Sequence, residues 1–230
     1  MTAPLALADD LWMVAHDRPN GASFLGIKPL GIGLGAALIA ELIMANWLNL
    51  ADGALYVHPQ ASRYPPPADP ATADVFGRMQ QEEAAQRGRR RDVTDPVGLS
   101  VEEWIQHLHN GHAQQLVERR LTMSGLAVEE SRGGLFRSSR TVVVPQSSSV
   151  SGWPAARVRD NLREGQQLSE QDLTLAGLIV ATGLAKEALG GIGGRQREFL
   201  VHQTQAIMRL PLRELVICAE TAVGRLIMIR

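Results

Sequence analysis

Three groups of residues in this 230-residue chain have types and spacings that chemistry uses. The first is Gly31-Ile32-Gly33-Leu34-Gly35-Ala36, which fits G-x-G-x-x-A. In a dinucleotide site such glycines let the backbone approach a pyrophosphate at a helix N-terminus. That site needs a strand before the glycines and βαβ alternation around them. Here Gly26 and Pro29 interrupt FLGIKPL and no βαβ pattern follows, so the spacing predicts close helix packing through small residues. The helix start still offers N–H groups to a single phosphate. The second group is His107, His109 and His112. A helical metal pair sits four residues apart on one face, whereas neighbouring positions diverge by about 100°. These histidines therefore read as a solvated helix end rather than a metal site.

The third group is basic. Arg87, Arg89, Arg90 and Arg91 form a run beside Glu82, Glu83 and Asp92, which reads as a solvated loop. Arg119 and Arg120 lie on a predicted helix, and Arg132, Arg137 and Arg140 on the hairpin after it, with Leu135 and Phe136 near the tip. Apolar side chains beside arginines can enter a bilayer interface while the cations meet phosphate. The same pattern also suits a hairpin that packs on its own core or on another subunit. G-x-S-x-G, G-x-x-x-x-G-K-[ST] and H-E-x-x-H do not occur. Glu41 and Glu118 stand in helical patterns with no evident partner, and Ser147-Ser148-Ser149 reads as loop. No nucleophile, base and orienter assemble, so a non-enzymatic protein without cofactor or metal is expected.

Composition narrows the classes further. Hydrophobic content of 45% supports a core, but aromatic content of 4% means aliphatic residues and Ala must fill it. A net charge of −1 argues against a general nucleic-acid binder. Lys28 and Lys186 are the only lysines among 23 basic residues, a bias that suggests a GC-rich bacterial genome. The single cysteine, Cys218, excludes an internal disulfide and lies in an apolar helix pattern. MTAPLALADDLW has no basic start and carries Asp9 and Asp10, so it is not read as a signal peptide. The longest uncharged runs, Pro29 to Ala40 and Leu173 to Ala185, fall short of the roughly 20 residues of a membrane span and read as core helices.

The elements that must position these groups follow from periodicity and punctuation. Leu5 to His16 is predicted as a helix, and another starts near Gly31. Asp52-Gly53 between Trp47–Leu50 and Leu55–Val57 predicts a type I′ hairpin turn. Pro59 to Pro70 is a connection, and Thr72 to Arg87 a polar helix. Ser100-Val101-Glu102-Glu103 is a capping box before Trp104. A helix from Gln114 to Met123 leads into a second hairpin. Its strands are Leu126–Glu130 and Leu135–Val144, its turn Ser131–Gly134. Helices then follow from Pro154 to Glu164, from a Ser169 cap to Leu189, from Arg195 to Leu210 and from Leu212 to Ile229, the last two divided at Pro211. The expected fold is mainly α, a single helical domain over residues 1–230 with two β-hairpins, one protruding.

The order of these pieces resembles the Golgi phosphoprotein 3 family, including its bacterial members. The likeness runs through LALADDLWMVAHD, GLGAALIAELIMANWLNL, LVERRLTMSGLAVEE and LSEQDLTLAGLIVATGLAKEAL, nearly the whole chain. It implies a peripheral membrane protein that binds phosphatidylinositol 4-phosphate and self-associates through its hairpin. Four positions depart from the lipid pocket of the eukaryotic members. Leu25 stands where they have Trp, and Gly35, Gly111 and Gln114 stand where they have Arg. Their basic N-terminal tail has no counterpart. Headgroup contact is therefore expected from other cations: Lys28, Arg119, Arg120, Arg137 and Arg140, with Leu135 and Phe136 for insertion or oligomerisation. The implied partners are an anionic phospholipid, a membrane surface and further copies of the chain, with no nucleic acid. The implied location is cytoplasmic, on the inner face of the plasma membrane. Two other readings compete. Gln114–Met123 and its hairpin have the order of a winged-helix recognition helix and wing. Alternatively, the hairpin serves assembly alone, in a scaffold without lipid.

Overall fold

The most apolar stretch of the chain forms its central helix. The computed structural model describes residues 5–18, 20–59, 61, 65–89, 98–132 and 140–228. Helix α1 (Leu7–Ala15) is followed by α2 (Ile27–Met44), which packs against α1 and against most of the later helices named next. These are α3 (Pro70–Arg89), α4 (Val101–His109), α5 (His112–Met123), α6 (Ser148–Arg163), α7 (Glu170–Thr182), α8 (Ala185–Ala188), α9 (Gly194–Ala206) and α10 (Leu210–Met228). By length and composition α2 is apolar enough to cross a bilayer, but most of it is buried inside the protein. Its apolar residues face in all directions because neighbours surround it.

α2 begins at Ile27 rather than near Gly31. Pro29 falls in the first turn, where its missing N–H is not needed and its fixed φ suits a helix. The glycines Gly31, Gly33 and Gly35 are close-packing positions, as their spacing predicted. A Cβ at Gly31 would collide with the His109 carbonyl oxygen, one at Gly33 would lie 2.6 Å from Thr182 Cγ2, and one at Gly35 would lie 3.0 Å from Leu108 Cβ. Thus α4 and the end of α7 approach α2 as closely as backbone allows.

Strands β1 (Leu48–Ala51) and β2 (Ala54–Val57) pair antiparallel, with Leu48 opposite Val57. Asp52 and Gly53 both have positive φ, 52° and 73°, as a type I′ turn requires. A short third strand, β3 (Leu99–Ser100), joins the free edge of β2. The Glu214 carboxylate of α10 accepts the Gly53 N–H, which ties this turn to the last helix.

The second hairpin is built from β4 (Ala127–Arg132) and β5 (Arg140–Pro145), with Ala127 opposite Pro145 and Arg132 opposite Arg140. Ser131 and Arg132, expected in the turn, continue the strand. Leu135, Phe136 and Arg137 lie outside the described residues. Beyond buried Ala127, every residue of β4 is exposed, whereas Val143 and Val144 of β5 pack on the core.

Four helix boundaries differ from expectation for local reasons. α6 starts at Ser148 because the Ser147 hydroxyl caps it, accepting the Val150 N–H, so the serines are cap and first turn rather than loop, and Pro154 lies within the helix. α7 stops at Thr182 because Gly183 takes a left-handed cap conformation, φ 87°. α9 ends at Ala206. Pro211 lies in the first turn of α10 rather than between helices.

Gly31→Ala tests the close approach of α2 to α4. Ala raises helix propensity by about 1 kcal/mol, but the clash with a backbone carbonyl forces the helices apart at about 1–3 kcal/mol. Urea unfolding is expected to show net destabilisation.

Candidate functional site

α5 carries two neighbouring arginines that the helix sends in different directions. Ala113, Val117 and Leu121 form its buried face, and Arg120 shares that side while Arg119 is exposed. Arg120 was expected among the headgroup cations, but its side chain points inward. It reaches Asp9 of α1 at 2.8 Å, Glu41 of α2 at 2.9 Å and Asp69, just before α3, at 3.0 Å. Glu41 also accepts the Ala8 N–H at 2.8 Å, and Asp69 accepts the Thr72 N–H at 2.8 Å as a cap on α3. One guanidinium thus joins four segments.

The cluster holds three carboxylates against one cation. Burial pushes the Asp9 carboxyl up to about 7, outweighing Arg120, and the charges of Glu41 and Asp69 add to the rise. For Arg120, burial alone would lower the pKa, but hydrogen bonding and charge from Glu41, then Asp9 and Asp69, hold it above its ordinary value. Beside this cluster, Trp12 stacks on His16 with ring centroids 4.0 Å apart, and Trp12 Nε1 donates to Glu118 at 3.4 Å. Burial pulls His16 down to about 4, against its bond to the Trp12 carbonyl.

Arg119 stands on the outer side of α5, with no ion pair or hydrogen bond among the described residues. One turn later Met123 is 69% exposed, and Val128 on β4 is 41% exposed. Between them Gly125 (φ 70°) turns α5 into the ribbon, with the Leu126 N–H donating to the Leu121 carbonyl. The other side of the ribbon's root is clamped by the α1–α2 loop. Arg132 Nη2 donates to the Asn20 carbonyl at 2.5 Å, and Gly21 (φ 63°) packs so closely on Val144 that a Cβ there would lie 2.8 Å away. The Arg18 guanidinium lies 4.4 Å above the Phe24 ring.

The remaining expected residues are dispersed. Lys28 is exposed at the start of α2, on the rim of a groove formed with α7 and α10. Arg140 opens β5, and Arg137, Leu135 and Phe136 lie outside the described residues. At the four departing positions, Leu25 is partly buried against the core and Gly111 is the left-handed N-cap of α5. Gln114 donates to Glu118 at 2.7 Å. Gly35 faces Leu108, so an arginine at that position would have no room on this side of α2. The histidines also separate. His109 is buried and donates through Nδ1 to the Gln106 carbonyl, whereas His112 pairs with Asp74 at 3.0 Å. Among the described residues no group of three His, Cys, Asp or Glu converges on a metal-sized space.

These features define a class: a helical scaffold that uses its buried charges to join segments and carries a two-stranded ribbon seated on it through β5 and exposed along β4. Within it the chain belongs to the Golgi phosphoprotein 3 (GPP34) family, which it matches over residues 7–216. No curated protein matches the chain.

The two arginines are expected to separate in mutagenesis. Arg120→Met strands buried carboxylates and is expected to cost about 3–5 kcal/mol in urea unfolding. Arg119→Ala is expected to stay within about 0.5 kcal/mol.

The buried carboxyl also sets a pH dependence. Folded Asp9 keeps its proton to about 7, well above the unfolded value of 3.8, so it lowers stability as pH climbs through that window. The stability of Asp9→Asn relative to the parent chain is expected to rise between pH 4 and 7 and level off above. His16 acts in the opposite sense, because its folded value lies below the unfolded 6.5. Replacing it is expected to help progressively as pH falls from 6.5 to 4, read by thermal melts.

Proposed function

We propose that this protein is a non-enzymatic peripheral membrane adaptor that docks on anionic phospholipid headgroups and self-associates through the β4–β5 ribbon. The observation that carries this reading is the ribbon itself. An isolated two-stranded hairpin is marginal in water, yet here every β4 residue after Ala127 is exposed on it. A partner surface that covers the ribbon accounts for that exposure. Arg119, Met123 and Val128 supply a cation and two apolar side chains at its root. Arg137 and Arg140, with Leu135 and Phe136, continue the same composition toward the tip. Arginine forks match phosphate oxygens, and apolar neighbours lower the free energy of partial insertion.

Phosphatidylinositol 4-phosphate is the headgroup that family membership supports. Replacement of the four pocket positions favours attraction to anionic lipid in general, at the cytoplasmic face of the plasma membrane. The winged-helix reading loses ground, since Arg120, one of the two cations its recognition helix offered, is held by three carboxylates.

Flotation with phosphatidylcholine vesicles, with and without phosphatidylglycerol or phosphatidylinositol 4-phosphate, tests the proposal. Recovery is expected only with anionic lipid, and a chain lacking residues 130–140 is expected to lose both flotation and oligomer mass by light scattering. Equal recovery in all vesicles, or none in any, sinks lipid docking. A loss of mass alone favours the lipid-free scaffold.

A further inference from the structure

The last helix carries an apolar row on its outer side. Leu210, Ile217 and Met228 of α10 are 67%, 55% and 87% exposed. They recur after seven and eleven residues, with Gly224 between the last two. On a 3.6-residue period these positions share one face, a stripe about 27 Å long. Val180 of α7, exposed beside Glu220 and Gly224, widens it. The inner side of α10 is given to the core, where Leu212, Leu215, Ala219 and Ala222 are buried. The outer row does no packing within the chain, and contiguous exposed apolar surface marks a contact site.

The charges beside the stripe say what fits it. One flank carries Arg213 and Glu220, with Ile217 between them, and the other carries Glu214 and Arg225. On the second flank both charges are held within the chain, Glu214 by the Gly53 N–H and Arg225 by Glu102 of α4. On the first, neither Arg213 nor Glu220 has an ion pair among the described residues, and Arg213 donates only to the Gln205 carbonyl at 2.9 Å. A cation and an anion equally far from a point beside Ile217 are complementary to their own copy. A two-fold axis there lays a second α10 antiparallel on the first and brings the same flank of each together with its ends reversed. Arg213 then meets the partner's Glu220, and Glu220 the partner's Arg213, as flanking charges do between paired helices. Leu210 lies over the partner's Gly224, where no side chain obstructs it. Parallel pairing would set opposite flanks together, against Glu214 and Arg225, which are already engaged. An anionic membrane would be repelled by Glu220.

We propose that the outer face of α10 is a second self-association surface, on which two copies of the chain pack antiparallel about a two-fold axis at Ile217. It goes beyond the ribbon contact proposed above and does not depend on it. A two-fold contact closes after two copies. A ribbon contact elsewhere on the molecule then joins such pairs and doubles the assembly.

Sedimentation equilibrium of the full chain tests this with charge reversals. Arg213→Glu and Glu220→Arg each set like charges against each other at both ends of the contact, and each is expected to halve the assembly mass. Ile217→Asp is expected to do the same. None of the three side chains is buried, so melting temperatures are expected to hold. Mixing the Arg213→Glu chain with the Glu220→Arg chain is expected to restore the parent mass, because every cross-pair is then opposite in sign. Unchanged mass in both charge reversals overturns the proposal. So does a mixture that stays at the reduced mass, since the antiparallel register requires rescue. Loss of vesicle flotation in Ile217→Asp with mass unchanged also overturns it and assigns the stripe to a membrane. A chain lacking residues 130–140 separates the two contacts. If only the ribbon reading fails, this deletion leaves the mass unchanged while the α10 variants still halve it. If only the α10 reading fails, the deletion lowers the mass and the α10 variants do not.

Discussion

The structure turns on one guanidinium taken out of water. Arg120 is largely shielded from solvent, so its position is fixed by the three carboxylates that surround it. Those carboxylates sit on different segments, and two of them have a second duty at their own ends. Glu41 receives a free N–H from the first turn of α1, and Asp69 caps α3. The charge cluster is therefore a joint that orients α1, α2, α3 and α5 together. Hydrophobic burial supplies most of the driving force for folding but has no direction. The joint supplies direction, and with it the orientation of α5, whose outer side carries Arg119 and whose end launches the ribbon.

A second constraint is the small-residue face of α2. Leu108, His109 and Thr182 come against Gly31, Gly33 and Gly35 at distances that exclude a side chain. A glycine motif that elsewhere admits a pyrophosphate here admits a neighbouring helix. The same packing removes the space that an arginine at position 35 would need on this side of α2.

Much of the fold was legible because it is written in local chemistry. Asp52-Gly53 specifies its turn through positive φ, and Ser100 and Ser169 cap helices through their own hydroxyls. Boundaries set by longer-range context were less legible. Proline at the start of a helix looks the same in sequence as proline that ends one, which displaced the expected starts of α2 and α10. The role of Arg120 was missed, although a signal existed. It lies seven residues after Ala113 and three after Val117, on the buried side of a 3.6-residue period. Asp9 and Asp10 likewise stand in a helix whose every residue is buried, where a carboxylate requires a partner. Which cation would serve it depends on chain more than a hundred residues away, and local pattern does not carry that information.

The bond between Gly53 and Glu214 has a consequence for how the protein is made. The β1–β2 turn is complete early in synthesis, but its carboxylate partner belongs to the final helix, which also packs on α2, α4 and α7. Contacts that join the two ends of a chain delay the cooperative step until the intervening loop closes. On a ribosome, the apolar flank of α2 would stay uncovered until α10 emerges, and a nascent chain in that condition is a natural client for a chaperone.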